Sequence, residues 1–425
     1  MILAATFALL GALLVIGTPI AFALGISACA YMTVARVDLL VLAQQVANGP
    51  DNWILLAMPL FVLAGLLMNT AGISDRIFTL ARALVGHVRG GLGLVNVVDS
   101  MLFGGISGSA VADSAALGSV IMPAMAKEGY PPAFSAALTS STASIGIIIP
   151  PSIPMIIYGA VAGVSVGALF LAGVVPGLLV GLGQGLVVYT IARRRGWGGE
   201  ARFSWAGLGR AARDAWVALL MPVIILGGIT FSVFTPTEAG AIAVVYGVLV
   251  GFAQRALSLR GLYRALVDAS VLTAIVMFLV STSLSLGWIL SHEQIPQGLA
   301  DWFAGITHDP TLLMVLITVL LIVIGCFLHG DPIMLIVVPI LLPAVKAAGI
   351  DLLHFGMIVV FTIAIGQQTP PVGSTLFVVA ALSGRDIFEI TWANLPFITV
   401  ITVVMYILLF VPQLVVVVPR WAGLG

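Results

Sequence analysis

The sequence predicts an all-α polytopic membrane protein in which an inverted repeat supplies two re-entrant helical hairpins and two broken helices. Of the 425 residues, 61% are hydrophobic and 8% are charged, whereas soluble domains are about 45–50% apolar and about 25% charged. Two stretches separated by 220 positions also repeat one pattern of glycine and proline. Apolar runs long enough to cross about 30 Å of hydrocarbon recur along the chain, namely 2–25, 167–191, 215–234, 267–290 and 394–416.

The overall composition excludes several classes of protein. The formal net charge is zero, so no nucleic-acid partner is expected. Cys29 and Cys326 are isolated in apolar segments and predict neither a metal site nor a disulfide framework. The N-terminus has no basic region, and its apolar stretch continues to about residue 34. It is therefore interpreted as a retained first span and not as a signal peptide.

The basic residues predict how the chain is oriented. Most of them lie in three clusters, at 76–89, 193–213 and 255–264. Loops rich in Lys and Arg stay in the cytoplasm. With these clusters inside, all but three of the 17 basic residues fall on the cytoplasmic side. The N-terminus is then predicted to be cytoplasmic and the C-terminus periplasmic.

Residues 93–126 and 311–345 are predicted to be re-entrant hairpins. Each has two apolar arms around a polar, glycine-rich centre. An arm of roughly 15 residues reaches only about 23 Å as a helix, which is too short to span the bilayer. By the charge map, the first hairpin enters from the cytoplasm and the second from outside.

An internal repeat relates the two hairpin regions. A shift of 220 residues aligns Gly105 with Gly325, Gly146 with Gly366, and the Pro-Pro pair at 150–151 with a second pair. An odd number of predicted crossings separates the copies, so the second copy is inverted in the membrane. Inverted repeats with paired discontinuous helices are typical of secondary transporters, whose sites lie at the repeat interface.

In each copy the helix after the hairpin is broken, at 140–154 and 361–374. A Pro-Pro pair removes two backbone donors and frees carbonyls around 146–149 and 366–369. Each carbonyl left without a hydrogen-bond partner in lipid costs several kcal/mol of free energy. A hard cation such as Na⁺ would bind these oxygens and offset that cost. The alternative is a pair of plain proline kinks, which the symmetric repetition disfavours.

The hairpin tips face the breaks and supply polar groups. The first tip offers Ser107 and Ser109. A role in a binding site and a role in helix packing are about equally compatible with these two serines. The second tip offers Asp331, which has no basic neighbour in sequence and is interpreted as functional. For Asp99 and Asp113, the simpler alternative to a functional role is an ion pair with Lys127 or Arg89.

The chain closely resembles the large membrane subunit of the tripartite ATP-independent periplasmic (TRAP) transporters. Four stretches carry the resemblance over essentially the whole length: GGISGSAVADSAALGSVIMPAM, ASIGIIIPPSIPMIIYG, GDPIMLIVVPILLP and GQQTPPVGSTLF. The resemblance implies an elevator mechanism and Na⁺-driven uptake of an organic acid across the bacterial or archaeal inner membrane. It also implies two partners, a small Q-type membrane subunit and a periplasmic substrate-binding protein.

The resemblance also implies a set of site residues. Two Na⁺ sites are expected, one at Ser107, Ser109 and Gly146 and the other at Gly325, Gly366 and Thr369. The substrate is expected to lie near Asp331, Gln367, Gln368, Ser140, Ser141 and Thr142. The two glutamines have an open alternative, since they either line a cavity or form hydrogen bonds between helices.

The predicted organisation has four parts. These are residues 1–92, with scaffold spans and an interfacial helix; 93–192, the first transport unit, with hairpin 93–126 and broken helix 131–163; 193–310, the central scaffold; and 311–425, the second transport unit, with hairpin 311–345, broken helix 352–384 and a C-terminal span.

Two other functions compete with this interpretation. A stand-alone inverted-repeat carboxylate/sodium symporter or ion antiporter would favour Asn-Thr hairpin tips or a buried acidic pair, and neither is found. An intramembrane enzyme would need a motif such as HExxH or GxSxG with a suitable histidine. The histidines are scattered, and His329 beside Asp331 is the one pair to weigh. The chain is therefore not expected to be an enzyme.

Overall fold

Helices form most of the computed structural model, which describes residues 1–49, 51–198, 203–231 and 233–424. In chain order they are α1 Ile2–Val15, α2 Ile20–Val34, α3 Leu39–Asn48, α4 Ala57–Thr70, α5 Ile73–Val85, α6 Gly91–Ser107, α7 Ala110–Lys127, α8 Pro132–Ala143, α9 Ile153–Ala162, α10 Val166–Arg195, α11 Trp205–Thr230, α12 Pro236–Ala253, α13 Leu259–His292, α14 Ile295–Ile306, α15 Pro310–Gly325, α16 Gly330–Pro332, α17 Val338–Ala347, α18 Leu352–Gly366, α19 Ser374–Ser383, α20 Ile387–Phe410 and α21 Gln413–Trp421.

Seven helices in the described ranges are long and apolar enough to cross a membrane. They are Trp53–Thr70, Val166–Arg195, Trp205–Thr230, Pro236–Ala253, Leu259–His292, Gly330–Ala347 and Ile387–Phe410. The predicted all-α polytopic class is confirmed.

The N-terminus differs from the single apolar run predicted for residues 2–25. The chain forms two shorter helices, α1 and α2, which pack against each other. Gly17 has a φ of +85°, and Pro19 precedes the first residue of α2. A left-handed glycine ends a helix, and proline cannot continue one, so the apolar run folds back on itself.

The internal repeat is visible in the positions where helices begin. A shift of 220 residues carries the start of α7 onto Gly330 and the start of α8 onto Leu352. The first residues of α6, α9 and α10 fall within one residue of those of α15, α19 and α20. Both Pro-Pro peptide bonds are cis. The inverted repeat predicted from glycines and prolines therefore extends to whole helices.

Each copy has a hairpin followed by a broken helix. The first hairpin joins α6 to α7, and the second joins α15 to α16, a π-helical turn at Ile333–Val337, and α17. The half-helix after each break packs on the hairpin of the other copy, since α19 contacts α7 and α9 contacts the Ile333–Val337 turn. The two copies therefore form one interlocked unit.

The remaining helices surround this unit. Helix α4 packs against α12 and α13, and α13 also packs against α2 and α3. The interfacial helix predicted within residues 1–92 corresponds to α5, which has a buried apolar face at Ile73, Ile77 and Leu80 and lies against α6 and α11. These contacts position α2, α4 and α13 opposite the hairpin tips.

Candidate functional site

A cavity of about 460 Å³ lies between the two hairpin tips and helices α2, α4 and α13. Most of its lining is apolar, as is usual for small-molecule sites. Its polar lining residues are Asn69, Ser107, Ser109, His329, Asp331 and Gln367. Four of the residues proposed for the site from the sequence, Ser107, Ser109, Asp331 and Gln367, are thus brought to one space from both copies.

The first tip is ordered by its own serines. Ser109 is the N-cap of α7, and its hydroxyl accepts a hydrogen bond from the Ala112 amide at 3.4 Å. The Ser107 hydroxyl accepts one from the Ser109 amide, also at 3.4 Å. Each hydroxyl uses one lone pair in this way. The proton and the second lone pair of each hydroxyl take no part in these two bonds.

The second tip presents a pair of side chains with complementary chemistry. His329 Nδ1 lies 3.7 Å from Asp331 Oδ2, and both residues line the cavity. Gln367 reaches the same space from the second break. Its Oε1 atom is buried without a hydrogen-bond partner among the described residues.

Glycines allow each hairpin to touch its broken helix through backbone alone. A Cβ atom built on Gly104 would lie 2.6 Å from the Cα of Gly146. In the second copy, a Cβ on Gly366 would lie 2.7 Å from the carbonyl oxygen of Gly325. Real side chains do not tolerate such distances. Glycine is therefore required by close approach at both crossings.

A backbone hydrogen bond closes each tip onto the segment after the prolines. The Ile153 amide donates to the Gly108 carbonyl at 3.4 Å, and the Val372 amide donates to the Cys326 carbonyl at 3.1 Å. Gly146, Gly325 and Gly366 are all buried behind the cavity lining. The three glycines expected at the ion sites thus lie outside the cavity lining, whereas Ser107 and Ser109 are part of it.

Two acidic side chains of the first hairpin are buried. Asp99 and Asp113 have carboxylate oxygens without hydrogen-bond partners in the described part of the chain. The suggested pairing with Lys127 or Arg89 is wrong, because no ion pair joins these residues there. Asp113 lies against the first break, where a Cβ on Gly146 would collide with its Oδ2 atom.

Three other residues proposed for substrate binding are fully buried in α8 and bonded to neighbouring helices. The Ser140 hydroxyl lies 2.8 Å from that of Thr375, and Ser141 accepts from Gln184 at 2.9 Å. Thr142 donates to Asn96 at 3.0 Å. None of the three lines the cavity between the tips. In this structure they join α8 to α6, α10 and α19.

Of the two adjacent glutamines, one lines the cavity and the other forms hydrogen bonds between helices. Gln367 lines the cavity, whereas Gln368 is fully buried and forms hydrogen bonds between helices. Gln368 Nε2 donates to Ser144 Oγ at 3.2 Å and to the Ala364 carbonyl at 3.0 Å. Its Oε1 accepts from Asn394 at 3.0 Å. Successive residues point in different directions where α18 ends, and this separates their roles.

Thr369 lies in the second break and outside the cavity lining. Its hydroxyl donates to the Ile365 carbonyl at 2.7 Å, which leaves both oxygen lone pairs unused by that bond. The Thr369 amide donates to Gly366 at 3.1 Å. The repeat mate of Thr369 is Ile149, so only the second break can offer a hydroxyl oxygen at this point.

Some polar residues of the site were missed by the sequence analysis. Asn69 reaches the cavity from α4, and no pattern near it in the sequence indicated this. Asn96, Gln184 and Asn394 complete the hydrogen-bond network, and their signal was an amide side chain inside an apolar helix.

Comparison with known proteins identifies the family. Residues 7–414 match the family model described as the tripartite ATP-independent periplasmic transporter, DctM component. The chain belongs to this family. It is thus a large permease component of a TRAP transporter and a multi-pass protein of the inner membrane, and it is not an enzyme.

Several relatives of this permease match over most of its length. It is 39% identical to the sialic acid TRAP transporter large permease protein SiaM of Vibrio cholerae, covering 96% of each chain. It is 39% identical to the C4-dicarboxylate TRAP transporter large permease protein DctM of Pseudomonas aeruginosa, covering 90% of each. It is also 39% identical to the isethionate TRAP transporter permease protein DctMQ of Oleidesulfovibrio alaskensis, covering 94% of this chain and 64% of the relative.

A solved structure shares the fold. The crystal structure of the Alcanivorax borkumensis YdaH transporter superposes with a TM-score of 0.66 and covers 87% of this permease and 86% of that chain. At 15% sequence identity this likeness concerns the fold alone.

Proposed function

We propose that this permease carries an organic acid into the cell in symport with Na⁺, using the cavity between the two hairpin tips as the substrate site. The observation that carries the proposal is the convergence of both tips on one cavity at the repeat interface. The relatives named for sialic acid and for C4-dicarboxylates both refer to carboxylic acids. This agrees with an acid as the substrate.

The first break has oxygen atoms that suit a sodium ion. Asp113 places a buried carboxylate without a partner against Gly146, and Ser107 and Ser109 lie at the facing tip. A buried carboxylate is strongly disfavoured unless a positive charge compensates it. A Na⁺ ion among these oxygens would supply that charge. Asp113 thereby joins the three residues proposed for this site from the sequence.

The second break fits an ion with different ligands. Gly325 and Gly366 bring two backbones together, and Thr369 keeps hydroxyl lone pairs that could bind a cation. No buried carboxylate without a partner lies at this break among the described residues. We infer that the second ion is held mainly by carbonyl and hydroxyl oxygens, which suit hard cations.

The proposed transport cycle moves the interlocked hairpin unit against the surrounding helices, in the manner of an elevator. The cavity supports this idea because its walls come from both parts, with the tips on one side and α2, α4 and α13 on the other. Movement of one wall past the other would carry the substrate while the glycine crossings keep each tip fixed to its break. The N-terminus is proposed to be cytoplasmic and the C-terminus periplasmic.

Two protein partners are proposed. The DctMQ relative is longer than this chain, which covers 64% of it, and its name joins the M and Q components. A small Q-type subunit would complete this permease within the lipid bilayer. A periplasmic substrate-binding protein would deliver the acid. No role is proposed for a nucleic acid.

Reconstitution tests this function directly. The permease, the small subunit and the binding protein would be combined in liposomes, and uptake of labelled organic acids would be measured with and without an inward Na⁺ gradient. Uptake that requires both the gradient and the binding protein is expected. Uptake that needs Na⁺ but no partner would favour the stand-alone symporter, and uptake independent of Na⁺ would contradict the proposal.

A further inference from the structure

The charged groups that line the cavity are few and unevenly distributed. Among the described lining residues there is one carboxylate, Asp331, and one imidazole, His329, with no lysine or arginine. The other polar lining groups are hydroxyls and amides. Among the described lining residues, the imidazole is therefore the only side chain that can carry a positive charge, and the carboxylate is an obligate acceptor when ionised.

The pair belongs to the second hairpin tip alone. The repeat shift of 220 residues places His329 on Ser109 and Asp331 on Val111, so the first tip has neither group. The side chain of His329 is 42% exposed and that of Asp331 is 21% exposed, so both can reach a ligand. With Nδ1 turned toward Asp331, His329 keeps Nε2 for a contact with that ligand.

The described residues of the neighbouring helices add no charge to the lining at this place. Helices α9 and α13 pack against α16, and they face the cavity with apolar side chains such as Ile153, Leu272 and Ile275. Gln367 also lines the cavity, but its Oε1 atom is buried and does not face a ligand. The Asp331 carboxylate thus faces a ligand with one cationic donor, His329, beside it.

We propose that the His329–Asp331 pair selects a monocarboxylate that carries hydroxyl groups, in preference to a dicarboxylate. Protonated His329 donates to the ligand carboxylate, and Asp331 accepts from a ligand hydroxyl. A second ligand carboxylate would face Asp331 with no proton to share, leaving two like charges unpaired in a largely apolar cavity. This selectivity rests on the proposed function, because it assumes that the cavity is the substrate site.

Four six-carbon probes distinguish recognition of the ligand carboxylate from recognition of its hydroxyl groups. Gluconate has one carboxylate and several hydroxyls, adipate has two carboxylates, hexanoate has one carboxylate alone, and glucose has hydroxyls alone. Binding to the full-length permease in lipid nanodiscs with NaCl would be measured by calorimetry. Gluconate is expected to bind at least about tenfold more tightly than each of the others, because it alone satisfies both groups.

Variants assign this preference to the pair. Asp331→Asn is expected to bring the affinities for gluconate and adipate to within about threefold of each other, since it removes the like charge and adds a donor. His329→Gln is expected to weaken gluconate binding about tenfold. His308→Gln is the matched control, because His308 is exposed and does not line the cavity.

Three results would overturn the inference. Adipate binding as tightly as gluconate would contradict it, and so would a preference for gluconate that survives Asp331→Asn. Either result would leave Na⁺-driven uptake in liposomes unaffected, so the proposed function would stand. Absence of binding by all four probes would also overturn the inference, and the uptake assay would then decide the proposed function separately.

Discussion

The hydroxyl oxygen of Ser144 and the side-chain nitrogen Nε2 of Gln368 lie 3.2 Å apart, although 224 positions separate the two residues in the chain. This contact joins the first break directly to the second. Asn394 extends it by donating to the Gln368 oxygen from α20. The two breaks are thus held in register by one buried amide and not only by packing.

The adjacent glutamines give a matched pair of variants. Gln368→Met should lower the melting temperature clearly, because Ser144 and Asn394 lose a buried partner at a cost of about 1–3 kcal/mol. Gln367→Met should leave the melting temperature nearly unchanged and weaken substrate binding, since its side chain lines the cavity. Thermal unfolding followed by tryptophan fluorescence, together with uptake, measures both. Equal loss of stability in the two variants would contradict this division.

The glycine crossings predict a steric effect. Gly366→Ala should destabilise the permease by about 1–3 kcal/mol and abolish uptake, because the new Cβ meets the Gly325 backbone at 2.7 Å. Gly287→Ala is the control, since a Cβ there has nothing within 4 Å. Melting temperatures of both variants test the prediction. A Gly366→Ala protein that melts and transports like the wild type would show that the crossing is not tight.

Asp113 predicts a change in the response to sodium. In Na⁺-free buffer, Asp113→Asn should melt at a higher temperature than the wild type, because a neutral amide replaces a buried charge that has no partner. Added Na⁺ should stabilise the wild type and have little effect on the variant. Asp301→Asn, which changes an exposed acid, is the control. Full Na⁺ stabilisation of Asp113→Asn would remove this residue from the ion site.

Thr369 tests the second ion site. Thr369→Val should raise the Na⁺ concentration for half-maximal uptake several-fold without affecting expression, because the hydroxyl oxygen is lost from the break. Thr399→Val removes the same type of hydroxyl-to-carbonyl bond at an exposed position of α20 and should change nothing. An unchanged Na⁺ response in Thr369→Val would count against this ligand.

The fold class, the repeat and the positions of the breaks were determined by the sequence itself. Membrane spans need long apolar runs, and a Pro-Pro pair inside an apolar run interrupts a helix, so both features are local. The repeat follows from a constant offset that can be read directly from Gly146 and Gly366. The fold-back at Gly17 and Pro19 was also encoded locally, but it was hidden within an apolar run.

Only the tertiary structure decided which polar side chains meet. Gln367 and Gln368 are neighbours in sequence, yet one lines the cavity and the other bonds to Ser144, because the direction of each side chain depends on how α18 ends. Asn69 reaches the cavity from a distant helix, and Asp113 is buried without a partner against Gly146. Such relations depend on contacts between residues far apart in the chain. The composition of the sequence and the spacing of its residues do not determine these contacts.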